Sequence, residues 1–334
     1  MNFSERLLQA TFVASLLASC VPAGAQADKM QTTSPSSSTP DAPSSNDGHG
    51  DSAVFVAGLE NIKPGSSGEL RITEHGLLFL AKDARATIPL ERMTAVSTGD
   101  ERVATGGTAV RIARLTPVFG VGPLTGAATH KKVDVLTVEF WEADGYHGAV
   151  FEVPRGRSVL EQKQLMPFVK SQPVDTAADG GIGCSEQGTP HSLLIAPITS
   201  EGIALPAEYR VLLYEQTVAQ LKKANPSEAI YRAGAGPVGG RCAARTLHLS
   251  VIGFKKGNEA LRASTGPIGF FVGDTSVKVH VSVIDDKGRA VFTKDLNQKK
   301  YGDHDSLSVA RNVAKDVSTR LTKNEGREAQ AAKL

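Results

Sequence analysis

Apolar and polar positions alternate with several different rhythms along this chain. From Leu7 to Ser19 the residues are predominantly apolar, over a length that suits a signal-peptide core and is too short to span a bilayer. Apolar residues then almost vanish. The stretch Thr32-Thr33-Ser34-Pro35-Ser36-Ser37-Ser38-Thr39-Pro40 runs on through Asp41, Pro43 and Asp47 to Gly50. It cannot bury enough surface to offset the entropy of ordering, so residues 20–52 read as a disordered Ser/Thr/Pro-rich tether. A period of two sets in at Ala53. Ala53–Leu59 reads as a strand, and Gly68–Thr73 alternates with Leu70 and Ile72 on one face. Leu77–Ala81, Ala86–Leu90 and Met93–Val96 follow as short strands. A hairpin places Leu136, Val138 and Phe140 opposite Ala149, Phe151 and Val153, with Ala143-Asp144-Gly145 as its turn. Residues 158–170 then suit a helix with Leu160, Gln164, Met166 and Val169 as a half-buried face.

The second half repeats the exercise with a different order. Leu193-Leu194-Ile195-Ala196 reads as a buried strand. Pro206 opens a helix to about Ala224, with Val211, Tyr214, Val218 and Leu221 at helical spacing, and Asn225-Pro226 ends it. Ala229–Arg232 is a short strand. Leu247, Leu249 and Val251 alternate with His248 and Ser250, and Val277, Val279, Val281 and Val283 with Lys278, His280 and Ser282. Asp286-Lys287-Gly288 turns the chain into Ala290–Lys294. A last helix carries Leu307, Ala310, Ala314, Val317 and Leu321 on one stripe.

These elements predict an α+β protein. Residues 53–170 form a small β-barrel with a C-terminal helix, and residues 180–323 an antiparallel sheet covered by helices. A disordered tail, 324–334, closes the chain of 334 residues, whose length suits two domains. Aromatic residues are 5% with one Trp, so the cores must be built from Val, Leu, Ile and Ala. A net charge of +2 supplies no field for nucleic acid, which is not expected as a partner.

Three resemblances add to this reading. Leu17-Ala18-Ser19-Cys20, closing the apolar run, resembles the lipobox of bacterial lipoproteins. It implies acylation of Cys20 and cleavage just before it, giving a signal peptide of residues 1–19. Val21 after the acylated Cys implies the outer membrane, facing the periplasm. Cleavage after Ala25 or Ala27 would instead release a soluble periplasmic protein, because Ala23-Gly24-Ala25 and Ala25-Gln26-Ala27 both fit the small-x-small pattern. Gly68, Leu70, Ile72, Thr73, Gly76, Leu77 and Phe79, followed by Ile88, Pro89, Leu90, Met93 and Val96, resemble pleckstrin-homology or GRAM-type barrels. The basic cluster of a phosphoinositide loop is not evident, and lipid binding is not carried over. Residues 180–323 resemble uncharacterised bacterial envelope lipoprotein domains, through Gly253-Phe254-Lys255-Lys256-Gly257-Asn258, Leu261-Arg262, Gly266 and Asp285-Asp286-Lys287-Gly288-Arg289. With Cys20 acylated, Cys184 and Cys242 remain as a disulfide pair in an oxidising compartment. The bridge would close a span of 58 residues and contribute roughly 4 kcal/mol in the chain-entropy model.

Candidate chemistry is sparse. Gly234-Ala235-Gly236-Pro237-Val238-Gly239-Gly240 lacks the Lys-Ser/Thr of a phosphate loop. His248 and His280 fall on the polar faces of strands that could be neighbours, without a third ligand at metal spacing. Asp303-His304-Asp305 caps a helix, and Asp285 and Asp286 are turn residues. The Gly/Pro-rich apolar loops 115–130 and 266–273 present Phe119, Phe270 and Phe271 as candidate partner contacts. No catalytic residue, metal or cofactor is expected. The sequence therefore predicts a membrane-anchored envelope binding or scaffold lipoprotein without catalytic activity, accessory to an assembly or transport complex. Its partners are the membrane, through the lipid anchor, and another envelope protein. The alternative is a soluble periplasmic protein binding a small molecule or lipid.

Overall fold

Strands alternating apolar with polar residues need a covering layer on their apolar face, and a computed structural model of the chain shows how two sheets share one. It describes residues 50–104, 130–170, 189–234, 242–257, 275–300 and 307–331. The first sheet holds β1 (Asp51–Ala57), β2 (Ser67–Ile72), β3 (Gly76–Ala81), β4 (Arg85–Pro89), β5 (Met93–Ala104), β6 (His130–Glu142) and β7 (Gly145–Val153). Their order is β4-β3-β2-β1-β7-β6-β5, antiparallel throughout. The expected hairpin is present, with Leu136 opposite Phe151 and Val138 opposite Ala149. Phe55, Phe79 and Phe151 meet at its centre, their ring centroids 5.4 to 6.1 Å apart.

The expected closed barrel is corrected to an open sheet, since the outer strands β4 and β5 do not pair. Pro89 ends β4 without an N–H to donate, and a 3-10 turn, Leu90–Arg92, redirects the chain into β5, which pairs with β6 along its length. Helix α1 (Arg157–Leu165) and a second 3-10 turn, Met166–Phe168, pack here instead. Gln162 Nε2 donates to the carbonyl of Val96 at 2.9 Å, and the Lys170 amide donates to that of Met93 at 3.0 Å.

Helix α1 also faces the other way from the sequence expectation. Leu160 and Met166 are exposed and Ser158, Glu161 and Leu165 are buried. The helix starts from Gly156 in the left-handed region, φ 83°. Its rotation is then fixed by polar contacts that apolar spacing cannot foresee. Asp134 accepts from the Gly156 amide and the Ser158 hydroxyl, and Arg157 pairs with Asp51.

The second sheet holds β8 (Thr189–Ile195), β9 (Thr199–Ser200), β10 (Ala229–Arg232), β11 (Ala243–Lys255), β12 (Thr275–Asp285) and β13 (Ala290–Lys300). It runs β10-β8-β11-β12-β13, with β9 also against β11. The pairs β10–β8, β8–β11 and β9–β11 are parallel, so the sheet is mixed rather than antiparallel throughout. Helix α2 (Ala207–Ala224), running between β9 and β10, makes that possible by carrying the chain back across the sheet. Helix α3 (Ser308–Ala331) lies beside α2, with its predicted stripe of Leu307, Ala310, Ala314, Val317 and Leu321 buried, and it continues through 324–331, which the sequence reading assigns to a disordered tail.

Both sheets use α2. Leu193, Leu249, Val279 and Val281 of the second sheet, and Ala57, Val135 and Val150 of the first, belong to one apolar cluster around it. The helix is consequently buried on nearly all sides, from Tyr209 to Leu221. All described residues fall in one compact unit, and the expected boundary at 170–180 lies in or beside 171–188, outside the described residues. Helix α2 approaches the first sheet closely at Gly148 of β7, where a Cβ would sit 2.5 Å from Cγ1 of Val211. A Gly148→Ala protein should be less stable by about 1–3 kcal/mol, since neither backbone can retreat without disturbing the other's packing. Urea unfolding checks this as a lowered midpoint at unchanged slope.

Candidate functional site

Side chains with chemical capacity gather in three places. The first is a seam of buried charge between the first sheet and α2. Arg232, the last residue of β10, donates from Nη1 and Nη2 to Glu215 of α2 at 2.8 and 2.9 Å. Its Nη1 also donates to the carbonyl of Tyr146 at 3.1 Å, and Glu215 accepts the Gly148 amide at 3.0 Å. Both ionic side chains are 5% exposed. Further along, Glu139 of β6 accepts from the Tyr146 hydroxyl at 2.7 Å and pairs with Arg210 of α2. At the far end Tyr209 donates to Glu101 of β5 at 2.9 Å, and Lys256 stands 3.1 Å from the same carboxylate. Burial pushes the carboxyls of Glu101 and Glu208 up, with the Lys256 charge opposing it.

The second place is the β6–β7 hairpin tip. Donor atoms of Glu142, Asp144 and His147 lie within 4.8 Å of one another, a set with the donor chemistry of a divalent-cation site. His147 Nε2 is already 2.7 Å from Asp144 Oδ1, its ring stacked on Phe140, and Arg232 Nε lies 3.7 Å from Asp144 Oδ2. Burial works to raise the Asp144 carboxyl, but the hydrogen bond and charge of His147, with the Arg232 charge, outweigh it and hold it below its usual value. The Asp144 carboxylate thus already has cationic and hydrogen-bonding company, and a metal ion would have to displace it.

The third is α1. Glu161 is 5% exposed, and no N–H or hydroxyl donor reaches either of its carboxyl oxygens. Burial, and then the nearby Asp51 charge, push it up to about 8, with Arg157 opposing. On the outer side of the same helix and turn, Val159, Leu160, Met166 and Phe168 are exposed.

The residues singled out from the sequence distribute unevenly. Cys20, Cys184, Phe119, Phe270, Phe271 and His304 lie outside the described residues. Cys242, just before β11, is buried. His248 and His280 do lie on neighbouring strands, where the register sets His248 opposite Ser282 and Ser250 opposite His280. His280 Nδ1 is 2.6 Å from Asp295 of β13, and burial lowers the His248 pKa. Asp285 accepts the Lys287 and Arg289 amides, as a turn residue does. A cavity bounded by Leu205, Tyr209, Leu213, Val251, Val277 and Ala310 has room for about one water molecule, far short of a ligand site. No helix among the described residues is long and apolar enough to cross a membrane.

No family model matches the chain, and no curated protein matches it. Among solved structures, it is similar to the PelC dodecamer from Paraburkholderia phytofirmans at 14% identity and a TM-score of 0.30, over 40% of this chain and 90% of that one. It is also similar to the hypothetical protein CT253 from Chlamydia trachomatis at 10% identity and a TM-score of 0.23, over 35% and 74%. Likenesses this loose carry no conclusion about fold or activity.

Sequence reasoning missed the seam and the outward face of α1. Glu139 sits on β6 opposite the Leu136, Val138 and Phe140 face, where a charged residue reads as solvent-facing. The one signal available was the company it keeps: Val135 shares that side of the strand, so the side was never wholly polar.

Proposed function

We propose that this chain is an exported envelope lipoprotein, tethered through Cys20, whose folded unit serves as a binding or scaffold module of an assembly or transport complex rather than as an enzyme. The observation that carries the reading is Leu17-Ala18-Ser19-Cys20 at the end of an apolar run, followed by a Ser/Thr/Pro-rich stretch that ends where β1 begins. The buried charges of the folded unit support it in a secondary way. Glu215, Arg232, Glu139 and Arg210 are engaged with one another and with the backbone, as groups that hold a scaffold together are. The resemblance of residues 53–170 to pleckstrin-homology or GRAM-type modules belongs to the same proposal. Seven antiparallel strands followed by α1 favour it, and the unpaired β4 and β5 weigh against a closed barrel. Pairing of Cys242 with Cys184 belongs to it as well, since acylation would remove Cys20 from the three cysteines.

Fractionation of the native host tests the anchor. The wild-type chain should sediment with membranes, its mature mass beginning at acylated Cys20, and Cys20→Ser should move it to the soluble fraction. A wild-type mature mass beginning at Gln26 or Asp28 would overturn the anchor.

A further inference from the structure

An anchor at Cys20 leaves open which side of the folded unit meets the bilayer, and α1 answers from its surface. Val159 is 57% exposed, Leu160 49%, Met166 50% and Phe168 43%. These apolar side chains stand among the exposed cations Arg155, Lys163 and Lys170. From Pro154 to Lys170 the one acidic residue is Glu161, and it is turned into the fold. An apolar face fringed by cations, with its one acid withdrawn, complements an anionic phospholipid surface. Its aliphatic and aromatic groups reach the acyl boundary while ammonium and guanidinium groups sit among phosphates.

The path of the chain points the same way. Asp51, the first residue of β1, pairs with Arg157 in the first turn of α1. The start of β1, the described end of the chain nearest Cys20, therefore lies against α1. The 30 residues from position 20 to position 50 reach at most roughly 100 Å when extended. A tether of that kind raises local concentration, so a face that binds lipid weakly by itself is held on the surface.

We propose that the α1 face, formed by Val159, Leu160, Lys163, Met166, Phe168 and Lys170, lies on the anionic phospholipid surface to which Cys20 tethers the chain. The tether rests on the anchor reading above, but the face can be tested without it. The probe is the full Cys20→Ser protein, its start fixed by intact mass, floated with phosphatidylglycerol vesicles and with phosphatidylcholine vesicles. Binding is expected to phosphatidylglycerol, at least tenfold weaker to phosphatidylcholine, and lost at high salt. Leu160→Ser with Phe168→Ser should weaken it at least tenfold, and Lys163→Glu with Lys170→Glu should do so independently. Both pairs are exposed, so thermal midpoints should hold, and the charge pair keeps the test valid if the serine pair unfolds. Equal binding to both lipids, no binding, or binding that neither pair alters would overturn the proposal. So would a dimer of the Cys20→Ser protein that the serine pair disrupts, since the face would then belong to a second copy. Failure of the anchor is read separately, from the mature mass of the wild-type chain.

Discussion

An Arg232→Met protein should lose about 3–5 kcal/mol of unfolding free energy, the range for breaking a buried ion pair from one side. Arg232 joins three elements at once. Its guanidinium meets both oxygens of Glu215 on α2 and the carbonyl of Tyr146 on β7, while its own backbone lies in β10. Methionine can fill much of the space of the aliphatic stem and restores none of the donors. Glu215 would remain buried with the Gly148 amide, and the Tyr146 carbonyl would lose its guanidinium partner. The burial of both partners places the cost far above that of a surface pair, which contributes about 0–1 kcal/mol. Adding Glu215→Met should return a large part of the loss, because the uncompensated charge is then gone. Urea unfolding of both single variants and the double variant measures the coupling. A loss below about 1 kcal/mol in Arg232→Met would mean that the seam is wetter than its geometry shows.

Glu161→Gln should stabilise the protein at high pH and leave it nearly unchanged at low pH. In the folded protein the carboxyl is pushed up to about 8, against a reference value of 4.5. Between those values the native state keeps a proton that the unfolded chain releases. Stability contributed by this group is therefore fully present below 4.5, falls as pH rises through the interval, and levels off above 8. One proton of difference corresponds to about 1.36 kcal/mol per pH unit, so the whole interval is worth roughly 5 kcal/mol at most. Glutamine has the shape of the protonated acid without its titration. The expected gain is below about 1 kcal/mol at pH 5 and roughly 2–5 kcal/mol at pH 9. Unfolding free energies of the two proteins at pH 5, 7 and 9 decide the matter, and parallel pH profiles would exclude a buried, proton-retaining Glu161.

Periodicity made much of the second sheet legible. Val277, Val279, Val281 and Val283 alternate in the sequence and are buried in β12, and the stripe of α3 is where helical spacing puts it. The β6–β7 hairpin was legible for the same reason, because its partners are close in sequence. What failed to show was everything decided at long range. Closure of the first sheet depended on whether β4 would meet β5, which no local pattern states. The facing of α1 was set by Asp134 and Asp51, and its exposed Leu160 and Met166 reversed the usual meaning of an apolar stripe. Glu101, Glu139, Glu208 and Glu215 are buried by the packing of α2 against the sheets, and nothing in their local sequence marks them. Candidate contacts at Phe119, Phe270 and Phe271 stay where the sequence left them, outside the described residues.

The shared use of α2 has a consequence for how the protein is made. A ribosome or a translocation channel delivers the chain from its N-terminus. The strands of the first sheet are complete at Val153, well before Ala207, the first residue of α2, has emerged. Until then Val135 and Val150 lack their apolar cover, and Glu139 and the Gly148 amide lack Arg210 and Glu215. The early half is thus a surface waiting for a helix that arrives late, a natural client for a holding chaperone and a poor fragment to express alone. Shuffling the two halves apart between proteins would be penalised for the same reason: the first half keeps an apolar core of its own around Phe55, Phe79 and Phe151, but the side of its sheet that carries Val135 and Val150 would be left bare.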